Sequence, residues 1–397
     1  MKTRILVNTA LLTGSLFASA LSGTPAELRR EPVPQSVMVH TVQPSVPTAV
    51  AENTIQVALL LDTSNSMDGL IEQAKSRLWN IVNTLSTLKY DGRAPKIEIA
   101  LYEYGNDGLR ERNWIRKVTP LTQDLDLISE KLFSLRTNGG TEYCGAVIKD
   151  AVSQLEWNGN SKAMKLIYIA GNEPFNQEGI NYKEAISDAQ KKRIFVNTIF
   201  CGDRKEGIET YWQDGAVLGG GKYFNIDANQ KVIFIETPYD IRISALNLQL
   251  NDTYIGYGAT GYEKKASQAM QDVNAASLSK ANAVERTVSK SKKEAYRAES
   301  WDLVDKAETD RNFVNTIKSE DLPAELKGKS KTEIAKIVSE KSRQRSQVQK
   351  EITELAVKRQ NYIDDEIKKR GNSTADDLGK AIEKSIHELG RKNGFTF

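Results

Sequence analysis

The chain has 397 residues, with 55 Lys or Arg against 52 Asp or Glu and a formal net charge of +3. That length allows more than one folded unit, while the interleaving of basic with acidic residues marks solvated helical faces rather than a phosphate-binding groove, so nucleic acid is not expected as a partner. Its two histidines, His40 and His387, lie far in sequence from the candidate sheet strands, which leaves no base beside a serine for hydrolytic chemistry and argues against an enzyme.

Met1 to Ser22 has the form of a signal peptide: Lys2 and Arg4 lead an apolar run that ends in Ala18-Ser19-Ala20, an A-x-A cleavage pattern. No later stretch is long and apolar enough to span a bilayer, so an exported protein, periplasmic or secreted, is expected. Residues 23–53 hold Pro25, Pro32, Pro34, Pro44 and Pro47 among polar residues and read as an extended linker. From 54 to 252 strand-like and helix-like segments alternate, which predicts an α/β domain built on a doubly wound, mostly parallel sheet. The predicted strands are Val57–Leu61, Lys96–Tyr104, Trp114–Val118, Met164–Ala170, Ile194–Phe200 and Tyr223–Ile226. The predicted helices are Met67–Lys89, Asp124–Leu135, a helix opened by Thr141, Lys183–Lys192, Glu209–Leu218 and one starting at Pro238.

The first strand ends in Asp62-Thr63-Ser64-Asn65-Ser66. Asp62, Ser64 and Ser66 alternate as hard oxygen donors at the strand end, where open α/β sheets bind ligands, and such a set suits a small divalent cation. Read as local structure alone, Ser66 would be the N-cap of the following helix. The D-x-S-x-S array resembles the first motif of the von Willebrand factor A domain, whose metal-ion-dependent adhesion site (MIDAS) is completed by a threonine from a second loop and an aspartate from a third. The resemblance implies Thr141, in Asn138-Gly139-Gly140-Thr141, as the second-loop ligand. In the third loop, Gly171-Asn172-Glu173 carries Asn172 where the family has aspartate, so Asn172 or Glu173 is expected to assist. The implied ion is Mg2+, or else Ca2+ or Mn2+, and the implied partner is a protein presenting an acidic side chain to the ion's open position. Cys144 and Cys201 are expected at the same rim of the sheet, joined by a disulfide after export.

Residues 253–329 form a glycine–tyrosine bridge (Tyr254 to Tyr262) and a helical segment with few apolar positions. Residues 330–397 form a charged region: Ser330-Lys331-Thr332-Glu333 is a capping box before a helix of about forty residues, followed by a last helix over Ala375–Leu389. The long helix suggests a stalk or coiled coil, although Lys341, Gln344 and Arg345 interrupt its apolar seam. It offers a second reading, a metal-free scaffold protein of the cell envelope that associates through its helical tail.

Overall fold

The computed structural model describes residues 53–177, 179–369 and 378–397. The signal peptide expected over 1–22, nearly all of the linker over 23–53, and the expected start of the last helix at Ala375 lie outside the described residues.

Six strands form one sheet: β1 (Thr54–Asp62), β2 (Lys96–Tyr104), β3 (Ile115–Thr122), β4 (Met164–Gly171), β5 (Ile194–Cys201) and β6 (Gly220–Ile226), in the order β3-β2-β1-β4-β5-β6. All neighbours are parallel except β2 and β3. Every residue of β1 and β4 is buried, as a central strand covered on both faces requires. The strand order reverses direction between β1 and β4, so the carboxyl ends of these two strands flank the crevice where a doubly wound sheet binds ligands.

The helices in the region of the sheet are α1 (Asp68–Leu85), α2 (Leu125–Ser134), α3 (Cys144–Gln154), α4 (Tyr182–Lys191), α5 (Arg204–Glu209), α6 (Trp212–Leu218) and α7 (Asp240–Asn251). The helix expected over Glu209–Leu218 begins only at Trp212 (α6), because Tyr211, with a left-handed φ of 71°, separates it from α5, which ends at Glu209. Side chains alternate across the sheet. Ala58, Leu60, Ala100, Tyr102, Ile167 and Ile169 pack with α3, α4 and α6 on one face. Val57, Leu59, Leu61, Ile99, Leu166 and Tyr168 pack with α1 and α2 on the other.

The C-terminal third adds α8 (Gly261–Leu278), α9 (Lys280–Lys290), α10 (Leu303–Thr309), α11 (Phe313–Thr316), α12 (Lys331–Lys369) and α13 (Leu378–Lys392). Instead of projecting as a stalk, α12 lies against the rest of the chain: Ile334 and Val338 enter a small core with Leu303 and Val304, and Val348 and Ile352 join the α1 side of the main core. The interruption at Arg345 marks an anchor, since its guanidinium is buried and bonds Asp302 at 2.7 Å and the Thr253 carbonyl at 2.7 Å. The last helix, α13, lays Leu378, Ile382, Ile386 and Leu389 on the same sheet face as α1. It is fixed there by Ser385 Oγ donating to Asn197 Oδ1 at 2.7 Å. Among the described residues no helix is long and apolar enough to cross a membrane.

Candidate metal centre

At the carboxyl end of β1 the chain leaves the sheet through a tight turn. Asp62 Oδ1 accepts from the Ser64 amide at 2.7 Å, which folds the turn back and turns the following hydroxyls together. Ser64 Oγ and Ser66 Oγ lie 3.2 Å apart. Neither serine acts as a helix cap: Ser64 precedes the short 3-10 turn Asn65–Met67 without a side-chain capping bond, and α1 begins behind Met67. Neither hydroxyl is therefore spent on a helix end. Neighbouring ligands in an octahedral shell of radius 2.0–2.1 Å sit about 3 Å apart, close to the spacing of this pair.

Asp62 is fully buried, and its Oδ2 has no hydrogen-bond partner. Burial pushes the carboxyl up to about 8, the Ser64 amide opposes the rise, and nearby Glu142 and Glu173 add to it. Two glycines make room for this side chain. A Cβ on Gly171 would lie 3.0 Å from Asp62 Oδ2, and one on Gly105, whose φ is +76°, would lie 2.9 Å from Asp62 Oδ1. A larger residue at either position would push into the carboxylate. An orphaned, fully buried carboxylate oxygen costs free energy that a bound cation would offset.

The third loop reaches the same place. Asn172 lies beside Ser66, with its Nδ2 3.2 Å and its Oδ1 3.4 Å from Ser66 Oγ; which amide atom faces the hydroxyl is decided by what binds. Glu173 is half-buried, with its backbone carbonyl held by Trp212 Nε1 at 2.8 Å. Its charge acts on Asp62, and Gln177 Nε2 donates to its Oε2 at 3.4 Å. The second loop is stitched to the first through backbone, the Asn138 amide donating to the Thr63 carbonyl at 3.0 Å. Thr141 is exposed on this loop, ahead of α3, which starts at Cys144 with Tyr143 as its N-cap rather than at Thr141. No hydrogen bond joins Thr141 to the other expected ligands among the described residues. The structure thus links Asp62, Ser64, Ser66 and Asn172 by hydrogen bonds and sets Glu173 near Asp62, while Thr141 lies exposed in the second loop.

Among the described residues no group of three or more His, Cys, Asp or Glu side chains converges tightly enough to hold an ion by itself. The site depends on hydroxyl and amide oxygens above the buried Asp62 carboxylate, which are hard donors and fit Mg2+, Ca2+ or Mn2+.

Residues 56–209 match the family model described as the von Willebrand factor type A domain. The chain carries a von Willebrand factor A domain. No curated protein matches it. Among solved structures, BatB from Bacteroides thetaiotaomicron is similar at 19% identity over 44% of this chain and 90% of that one, with a TM-score of 0.34. An aerotolerance-related membrane protein from Bacteroides fragilis is similar at 20% identity over 44% of this chain and 93% of that one, with a TM-score of 0.32. Proximal thread matrix protein 1 from the mussel byssus, solved with zinc in its MIDAS motif, is similar at 13% identity over 44% of this chain and 42% of that one, with a TM-score of 0.32.

Two features of this A domain differ from the sequence reading. The expected Cys144–Cys201 disulfide is absent, and both cysteines are buried free thiols. Cys144 packs in the α3 layer and Cys201 in the α1 layer, so the sheet separates their environments. Burial raises both thiols well above their ordinary range, which makes them inert packing groups. Sequence reasoning also missed Glu142, which is 6% exposed and turned into the site. Its carboxyl is raised first by burial and then by Glu173, while the Ser64 side chain opposes the rise. The one signal available was its place directly after Thr141, where an acidic residue also suits the start of a helix.

Proposed function

We propose that this is an exported, non-catalytic binding protein whose A domain holds a divalent cation on Asp62, Ser64, Ser66 and Asn172, with Thr141 and Glu173 close by. A carboxylate from a partner protein completes the ion's coordination. The observation that carries this reading is the unpartnered Oδ2 of the fully buried Asp62 beneath two hydroxyls 3.2 Å apart, an arrangement that is costly unless a cation comes to it. When bound, the ion supplies an electrophilic contact for an acidic group. The chain's own residues orient the two hydroxyls, exclude water from Asp62, and leave the Ser66 side of the turn exposed to a partner.

The internal packing of α12 also supports this reading over a tail-mediated scaffold. Ile334, Val338, Val348 and Ile352 are covered within the chain, and they are the residues a helical partner would have used.

The test is calorimetric titration of the metal-free protein with Mg2+, Ca2+ and Mn2+, followed by capture from envelope extract with and without chelator. Binding in the micromolar to millimolar range, lost in Asp62→Ala together with chelator-sensitive capture, is the expected outcome. No heat from any of the three ions at millimolar concentration overturns it.

A further inference from the structure

Asn172 carries no charge where the family has aspartate, and Glu173 beside it is only half-buried, yet the buried side of the site is not poor in charge. Glu142 is buried at 6% exposure one residue beyond the exposed Thr141. A Cβ on Gly105 would meet Glu142 Cγ at 2.6 Å and Asp62 Oδ1 at 2.9 Å, so the two acidic side chains pack against the same glycine, side by side. The Ser64 side chain faces both carboxylates. A buried glutamate with no basic partner is expensive to keep, and this one stands next to a second buried carboxylate whose Oδ2 is itself unpartnered. Two such groups converging under a pair of serine hydroxyls are unfavourable in an empty structure and favourable around an ion of charge +2.

We propose that Glu142 supplies the second negative charge of the cation site, on the Thr141 side of the ion, in place of the charge that Asn172 does not carry. The inference rests on the metal-binding reading above and adds a ligand to it. It also gives the site a direction. Two carboxylates lie on the buried side, beneath Ser64, while Asn172 borders an open hollow of about 290 Å3 that also includes Ser66, Met67, Cys201, Asp227 and Ala228.

The experiment compares the full chain with its E142Q, N172D and E142Q/N172D variants. Each is titrated in metal-free form with Mn2+ and Mg2+ by calorimetry, and each is melted with and without metal. E142Q is expected to weaken Mn2+ binding tenfold or more and to melt, without metal, at the wild-type temperature or above, because it removes a buried charge. Adding N172D to E142Q is expected to recover most of the affinity by restoring the charge on the opposite loop. Wild-type affinity in E142Q overturns the role of Glu142 and leaves the metal site standing. A metal-free melting temperature more than about 5 °C below wild type in E142Q also overturns it, by making Glu142 a structural group. Absence of metal binding by the wild-type chain overturns the site itself, and this inference with it.

Discussion

Asp62 and Asp126 are both almost entirely buried, at 0% and 5% exposure, but they live in opposite surroundings. Behind α1, Asp126 is bonded by Arg286 at 2.7 Å and by the Tyr296 hydroxyl at 2.5 Å. Arg286 also bonds Asp272 at 2.5 Å and lies over the Trp79 ring at 4.7 Å. Lys290, fully buried, donates to Asp272 at 2.9 Å and to Asn251 at 2.6 Å. Two acids face two bases, and their remaining polar atoms find amides and carbonyls, so the cluster clamps α8 and α9 to α1, α2 and α7. At the rim, Asp62 has Glu142 and Glu173 for neighbours, no base, and an oxygen with no bond. The contrast teaches that burial of charge does not by itself mark function. Paired charges hold helices in place; a charge left unpaired points to something the folded chain has yet to bind.

The comparison can be broken at either end. The largest effect is expected from Arg286→Met, which takes the arginine from Asp126 and leaves Asp272 with Lys290 as its base. Loss of about 3–5 kcal/mol of stability is expected from denaturant melts, and a loss under 1 kcal/mol would mean the cluster is not a clamp. At the rim the sign should reverse. Asp62→Asn is expected to raise metal-free stability at neutral pH by about 1–3 kcal/mol, by removing a buried, unpaired carboxyl, while abolishing the added stability that the wild type gains from millimolar Mg2+ or Mn2+. A variant less stable than wild type without metal would make Asp62 an ordinary structural acid.

The smallest effect sharpens the paired side. Burial lowers the Lys290 ammonium from 10.5 to about 8, against the pull of Asp272. Between those values the unfolded chain still holds the proton that the folded chain has released, so stability should rise with pH through this window by up to about 1.4 kcal/mol per pH unit. Melts of the wild type and of Lys290→Met over pH 8–10.5 check this. The slope should vanish in the variant, and an equal slope in both would assign it to other groups.

Much of the A domain was legible because its strands are buried on both faces and bounded by turn residues. β2 falls on Lys96–Tyr104 as expected, and β4 and β5 each extend one residue past their predicted ends. Asp62, Ser64 and Ser66 were legible for a related reason, since their spacing along one turn is a local property. Glu142 was not legible, because its inward turn depends on Gly105, just past the end of β2, leaving room for it. Nor was the separation of Cys144 and Cys201, which turns on which face of the sheet each meets.

Composition and periodicity alone therefore determined the α/β class and most of the run of elements from β1 to α7, because these follow from the short-range alternation of apolar and polar residues. Only tertiary structure decided that Arg345, read as a break in a helical seam, is a buried anchor, that α13 covers a face of the sheet, and that a glutamate stands beside Asp62. Each of these depends on which distant side chain fills or vacates a given space, and that information is spread across the whole chain rather than held in any one segment of it.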